Sequence, residues 1–537
     1  MCSGFGFSLQ SQTPKQKEIL SELKTWSLDE KIGQLFFVGF RSIDQVKTLK
    51  PGGVVLFSWS LKDVPTAHGL LMQLRQTAKN HMKAPLFLAT DHEGGKVLRL
   101  RKGLTQFPDA LAVGATQDPI IAFRVGKIMG VELASLGFNM NFAPVMDLGN
   151  TKSFLENRVW SHDEKKVSEM TRHFIRGLSS SRILSVAKHF PGHGGTSVDS
   201  HFHLPVISKS WQDLWKNDLL PFREAVTEGL EAIMTAHVEV PAIDRGPASL
   251  SSRFLTEILR EKIGFKGLVI SDDLEMGGLS DELKMSVEDL AVKSLLAGTD
   301  MLMVVWSLEV QNKIAKRLKL AIAQGEITER QLDEKVSQIV SLKKRWLGTL
   351  EQESFENPFW SENLLRSESQ NLVSEIFSKA IEWNAGNSEQ LRLQFRSLDS
   401  KPWIVLASST MIARGWKSLG RKDKVLVTSK RPDANELRKI SQHFAEAKKN
   451  KVPVVVLTKP QASSSPETLN LVRSELRSLE KEIGSEVPLI WIHLGSKPVE
   501  IRREPAQVSM GIVSLNTATP EGLKSFLKSF FKPEGIE

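Results

Sequence analysis

Residues 267–277 read Gly267-Leu268-Val269-Ile270-Ser271-Asp272-Asp273-Leu274-Glu275-Met276-Gly277, a short apolar run that ends abruptly in carboxylates. A strand buried on both faces of a parallel sheet has this look, because polar groups are tolerated only where it emerges at its C-terminal end. Carboxylates delivered there are candidates for catalysis. They equally suit a strand-to-helix turn in which Ser271 or Asp272 caps the next helix, and the two uses are compatible.

The same design recurs in both directions. Pro85-Leu86-Phe87-Leu88-Ala89-Thr90-Asp91-His92-Glu93-Gly94-Gly95-Lys96-Val97 is again an apolar run, then carboxylates, then paired glycines. Asn139–Asp147 and Ile233–Val238 close on Asp147 and His237 in the same way. The full set of runs is Gln34–Gly39, Gly53–Phe57, Pro85–Thr90, Asn139–Asp147, Ile183–Lys188, Ala232–His237, Gly267–Ser271 and Met301–Val305, separated by helix-length amphipathic sequence. Eight such βα units predict a TIM-type (β/α)8 barrel, and the polar residues fall at strand C-termini, where barrels of this kind carry their active sites.

The last barrel helix opens with the capping-box pattern Thr328-Glu329-Arg330-Gln331 and spaces Leu332, Val336, Ile339, Val340 and Trp346 along one helical face, stopping near Gly348. Polar sequence containing Pro358 follows, which sets a linker at residues 348–364 between a barrel over 1–347 and a smaller domain over 365–537. Apolar β-branched runs at Pro402–Ser408, Lys424–Thr428, Pro453–Thr458, Pro488–Leu494 and Gly511–Leu515 alternate there with charged helical segments at Asp433–Lys449 and Glu467–Ile483, which makes it a second α/β domain.

Between the fifth and sixth runs lies Lys188-His189-Phe190-Pro191-Gly192-His193-Gly194-Gly195-Thr196-Ser197-Val198-Asp199-Ser200-His201. Gly192, Gly194 and Gly195 free the backbone for positive φ or close approach to a ligand, and polar groups this dense on a loop point to chemistry. Asp199 and His201 stand two apart, so an extended segment puts them on one face and a turn puts them in contact. Either way the carboxylate orients the imidazole and favours its protonated form, as a general acid near neutral pH requires.

This loop, with Leu204-Pro205, resembles the signature of family 3 glycoside hydrolases of the β-N-acetylglucosaminidase subgroup, with Gly195 standing where that family usually has Asp. The Ser271-Asp272-Asp273-Leu274 segment, the Asp91-His92-Glu93-Gly94-Gly95-Lys96-Val97 element and the Asn141-Phe142-Ala143-Pro144-Val145-Met146-Asp147 and Met234-Thr235-Ala236-His237-Val238 strands are similar to further motifs of the family. Asn157-Arg158-Val159-Trp160 departs from its usual Arg-Ser-Phe. The resemblance implies Asp272 as nucleophile with Asp273 in support, His201 as acid/base and Asp199 as its orienting partner. It also implies a sugar clamp of Asp91, Arg158, Lys188 and His189, and an αβα sandwich as the second domain. Glu93 is as readily structural.

The implied reaction is a retaining β-N-acetylglucosaminidase reaction through an aspartyl glycosyl-enzyme, with carbohydrate as substrate, cell-wall (peptidoglycan) fragments among its sources, and no cofactor. A histidine acid/base carries no negative charge to repel phosphate, so a β-N-acetylglucosaminide phosphorylase is an alternative. A metal-dependent barrel hydrolase is another, since His201 and His203 with His189, His193 and His237 offer imidazoles to a divalent ion.

Composition sets outer bounds. The chain of 537 residues has 41% hydrophobic and 25% charged residues, ordinary for soluble globular sequence. Its 71 Lys and Arg against 62 Asp and Glu give a net charge of +9, scattered without the basic cluster that nucleic-acid binding needs. No segment reads as transmembrane. The single cysteine, Cys2, excludes an internal disulfide framework and fits a cytoplasmic location; its place after Met1 admits the alternative of an exported lipoprotein anchored through it. The chain contains no tyrosine, and nothing in its physics explains that.

Overall fold

The structure is a computed structural model that describes residues 14–149, 155–196, 198, 200, 203–349 and 360–379, together with the segments 381–385, 404–407, 423–427, 454–458, 489–494 and 510–515 and helical residues between 439 and 450. Asp199, His201 and Cys2 lie outside the described residues, as does the predicted helix Glu467–Ile483.

Strands β1 (Phe36–Gly39), β2 (Gly53–Val55), β3 (Phe87–Thr90), β4 (Met140–Asn141), β5, β6 (Ala232–Thr235), β7 (Leu268–Asp273) and β8 (Met301–Val304) are all parallel. β5 comes in two halves, Leu184–Ser185 and Ala187–Phe190, separated by Val186. The first half pairs with β4 through Met140 and Leu184, the second with β6 through Ala187 and Ile233, so the sheet returns to its starting strand and closes at eight staves. The expected barrel is therefore present. Its staves are buried along their length, and Phe37 meets Phe142 edge-on at 5.1 Å in the interior.

The strand expected over Asn139–Asp147 is much shorter than that. Pro144 has no N–H to give a ladder; Asn141, three residues before it, is still paired with both neighbouring staves, and its side chain bonds the N–H and the carbonyl of His92 at 3.0 and 2.9 Å. Only an isolated bridge from Val145 to Lys188 carries the pairing further. β7, conversely, runs on to Asp273. Two short hairpins that the sequence did not announce, His92–Gly94 with Val97–Leu98 and Glu239–Val240 with Asp244–Pro247, rise beyond the ends of β3 and β6.

The capping box forms as expected. The Thr328 side chain accepts from the Gln331 N–H, Gln331 returns the bond to the Thr328 N–H, and the helix runs Glu329–Leu347 with Leu332, Val336, Ile339 and Val340 buried. Beyond it the helix Ser367–Lys379 lies against the barrel helix Pro119–Leu136. Arg124 pairs with Glu375 at 2.8 Å, Lys379 with Asp118 at 3.2 Å, and buried Glu132 accepts from the Leu365 N–H.

Six further strands form a second sheet. Its parallel members Ile404–Ala407, Lys424–Val427, Val454–Thr458, Leu489–Leu494 and Met510–Leu515 coincide with the five expected runs, and Ile381–Ala385, not foreseen, adds an antiparallel edge. Among the described residues no helix is long and apolar enough to cross a membrane.

Candidate active site

The C-terminal ends of β3, β4, β5 and β7 converge on one mouth of the barrel. Asp91 and Glu93 leave β3, Asp147 follows β4, Lys188 and His189 belong to β5, and Asp272 and Asp273 end β7. Arg158 arrives separately, on the short 3-10 turn Glu156–Arg158.

Lys188 is the hub. Its ammonium lies 2.8 Å from Asp91 Oδ1 and 2.7 Å from Glu93 Oε1, with the side chain only 3% exposed. Glu93 receives a bidentate pair from Arg158, Nε to Oε2 at 2.8 Å and Nη2 to Oε1 at 2.9 Å, while Arg99 donates to Asp91 Oδ2 at 2.9 Å. Burial alone would push the Asp91 and Glu93 carboxyls upward. The cations outweigh it: Lys188 and Arg99 hold Asp91, and Arg158 and Lys188 hold Glu93, well below the usual carboxylate range. Both are ionised, and each Asp91 oxygen keeps a lone pair that can accept from a sugar hydroxyl.

Asp147 plays the corresponding part for the histidines. Its Oδ2 takes the Nδ1–H of His189 at 2.6 Å and its Oδ1 takes the His193 N–H at 2.6 Å, which leaves the other edge of the His189 ring for a ligand. Burial drives the His193 imidazole down to about 4, helped by neighbouring His189, so that ring is neutral at physiological pH. Asp272 acts on His193 in the opposite sense, which places the end of β7 and the start of the β5 loop within electrostatic reach of each other.

The loop after β5 is fixed on both flanks of the stretch that carries Asp199 and His201. On the near side a Cβ on Gly194 would sit 1.8 Å from the Leu148 carbonyl oxygen, so only glycine fits. Gly195 needs no such freedom, since a Cβ there would meet nothing closer than 3.6 Å, and the family's Asp would stand beside Lys209. On the far side Glu282, in the helix Gly277–Leu283 that follows β7, accepts from the Leu204 N–H at 3.0 Å and faces His203 at 3.6 Å.

Neither Ser271 nor Asp272 caps that helix, contrary to the alternative the sequence allowed. Ser271 Oγ accepts from the Met303 N–H in the neighbouring stave, Asp272 Oδ1 accepts from the Asp273 N–H, and the helix begins only after Met276. Three residues of turn separate strand from helix, too many for a cap from the strand end. Asp272 is thus left half-buried at the mouth, whereas Asp273 is turned inward and accepts from the N–H groups of Glu275 and Val305.

Burial, with the like charges of Glu275 and Asp272, pushes the Asp273 carboxyl up to about 7. From the ordinary value of 3.8 to about 7 the unfolded chain releases this proton while the folded chain keeps it, so stability falls as pH rises through that window. Asp273→Asn keeps the acceptor oxygen and removes the titration. Relative to the parent, its melting temperature should rise between pH 4 and pH 8, and a difference constant across that range would refute the assignment.

Three described histidines of the proposed metal set, His189, His203 and His237, are engaged with other groups. His237 Nε2–H donates to the Asp273 carbonyl at 3.2 Å, which leaves Nδ1 to accept from Ser249 Oγ at 2.7 Å, and His203 is 74% exposed beside Glu282. Among the described residues no group of three His, Cys, Asp or Glu side chains is arranged to hold a metal. The structure thus brings together Asp91, Lys188 and Arg158, puts His189 beside them on β5, and sets Asp272 on the same rim. Sequence reasoning gave no role to Asp147 or Arg99 and left Glu93 open; the apolar run closing on Asp147 was the available signal for the first.

Known proteins resemble the chain in sequence and in fold. Residues 27–342 match the family described as glycosyl hydrolase family 3 N terminal domain. The chain is 37% identical over 255 residues to a beta-hexosaminidase of Tolumonas auensis, covering 47% of this chain and 75% of that protein. It is 34% identical over 285 residues to one of Histophilus somni, covering 52% and 80%. The structure superposes with a TM-score of 0.80 on a glycoside hydrolase family 3 beta-N-acetylglucosaminidase from Paenibacillus sp., at 28% identity and with 94% and 97% of the two chains covered. This chain therefore belongs to glycosyl hydrolase family 3 and is a glycoside hydrolase.

Proposed function

We propose that the chain is a retaining β-N-acetylglucosaminidase that removes terminal N-acetylglucosamine from glycans, with peptidoglycan fragments as its natural substrate class. The observation that carries this reading is Asp272, delivered by an apolar barrel strand to the rim of a buried cluster in which Asp91, Lys188, Glu93 and Arg158 are mutually paired. The beta-hexosaminidases and the beta-N-acetylglucosaminidase to which the chain is similar support it. In this reading residues 1–347 are the catalytic barrel, 348–364 a linker and 365–537 a second α/β domain.

The terminal sugar sits with its hydroxyls on Asp91, Lys188, His189 and Arg158. Asp272 attacks the anomeric carbon, the bond to the leaving oxygen breaks, and His201, oriented by Asp199, gives that oxygen its proton. The covalent glycosyl ester is then hydrolysed by water, from which His201 takes a proton, and two inversions restore the β configuration. An ordered, charge-paired clamp holds the anomeric carbon near Asp272 through both steps.

Leaving-group dependence tests the role of His201. His201→Ala should slow methyl N-acetyl-β-glucosaminide by about 100-fold or more, because its methoxide must be protonated, and 4-nitrophenyl N-acetyl-β-glucosaminide far less. Asp199→Asn should show a milder version. Equal losses on both substrates would make His201 a sugar-binding residue. The same assay with and without phosphate, and before and after prolonged chelation, separates hydrolysis from phosphorolysis and from metal-dependent hydrolysis.

A further inference from the structure

One cluster at the barrel mouth has no part in this chemistry. Phe57 and Trp59 follow β2, Trp306 follows β8 and Arg41 follows β1, three staves adjacent in the sheet, all at the C-terminal ends that carry Asp91 and Asp272. The rings form a tilted stack: Phe57 on Trp59 at 4.5 Å and 16°, Trp59 beside Trp306 at 5.1 Å and 40°, Phe57 to Trp306 at 6.2 Å and 24°. Yet Trp59 is 41% and Trp306 54% exposed. Two large indoles left this open forfeit much of the burial that aromatic residues normally gain.

They are held by polar ties instead. The Arg41 guanidinium lies 5.1 Å and 5.8 Å from the two indole centroids and donates to the Trp306 carbonyl at 3.0 Å. Arg99, bonded to Asp91, lies 5.1 Å from the Phe57 ring, while Glu275, three residues past Asp272, accepts the Trp306 N–H at 2.5 Å. One edge of the stack is thereby tied to the sugar clamp and the other to the strand of the proposed nucleophile.

We propose that Trp59, Trp306 and Arg41 form a second carbohydrate subsite, which receives the sugar on the leaving-group side of the scissile bond. The proposal rests on the glycosidase reading above. A pyranose presents an apolar C–H face ringed by hydroxyl and acetamido groups; an indole covers the face and a guanidinium donates to the rim. The clamp around Lys188 is buried, so a substrate whose terminal ring fills it emerges only on its leaving-group side, over exposed surface of the rim. The subsite makes the enzyme favour chains of at least two sugars over glycosides of small alcohols.

The test compares N,N′-diacetylchitobiose with methyl N-acetyl-β-glucosaminide, both of which expel alkoxides and differ in the second ring. In Trp59→Ala and Trp306→Ala the ratio of kcat/KM for the disaccharide to that for the methyl glycoside should fall about tenfold, and in Arg41→Ala by less. A ratio unchanged in both tryptophan variants overturns the subsite, as does an equal loss on both substrates. Calorimetric titration of Asp272→Asn protein with triacetylchitotriose, with and without Trp59→Ala, reads binding without turnover. Should the parent cleave neither glycoside while Trp59→Ala still weakens this binding, the subsite stands and the hydrolase reading falls; binding indifferent to Trp59 sinks the subsite alone.

Discussion

Asp272→Asn should lower turnover by at least about four orders of magnitude while leaving the fold intact. The loss follows from chemistry: an amide is isosteric with the carboxylate but forms no glycosyl ester. The fold should survive because Asn retains the oxygen that accepts the Asp273 N–H at 2.8 Å. A 5-fluoro N-acetylglucosaminyl fluoride should trap the ester, and peptide mass spectrometry should find the label on Asp272. Asp273 is the natural competitor, one residue on. Its oxygen is committed to the Glu275 and Val305 N–H groups, and its proton is held up to about 7, so near neutrality much of it is un-ionised and poorly nucleophilic. A label on Asp273 would refute both the mechanism and this account of why two adjacent carboxylates differ.

What the sequence disclosed follows the physics of burial. The staves of the barrel are covered on both sides, so all eight read as apolar runs, and those of β3, β4, β5, β6 and β7 are marked further by a polar residue at the mouth. Where backbone pairing fails for a local reason, as at Pro144, the run is still visible but the strand is short. Pairings between strands are a different matter. A carboxylate at a strand end looks the same in sequence whether it meets a sugar, a histidine or an arginine, so Glu93 and Asp147 became interpretable only when β3, β4 and β5 set them against Arg158, Lys188 and His189. Phe57 and Trp59 follow β2 while Trp306 follows β8, far along the chain, and no local pattern announces the contact of Trp306 with them. Asp199 and His201 still rest on the motif that first marked them, since they lie outside the described residues.

Lys188→Met should be the most damaging single change to the sugar clamp, costing about 3 kcal/mol of stability and about 100-fold or more in kcat/KM for any glycoside. The methionine fills nearly the same volume, so the effect is electrostatic. Asp91 and Glu93 would lose the ammonium that touches both at 2.8 and 2.7 Å, leaving two buried carboxylates to repel each other with one guanidinium apiece. That remaining partner for each is why the lower end of the range for a broken buried pair is expected. The pH dependence has a definite sign. In the parent both carboxyls are held below their ordinary values, so their contribution is present above the usual carboxylate range and is lost as pH falls through the lowered values. Without Lys188 there is less to lose, and the gap between parent and variant should be widest near pH 7 and narrow toward pH 3 in chemical-denaturation curves. A gap that does not vary with pH would mean that Lys188 acts by packing. Adding Asp91→Asn removes one of the two repelling charges, so the double variant should be less destabilised than the sum of the single changes; strict additivity would show that the ammonium does not hold the two carboxylates together.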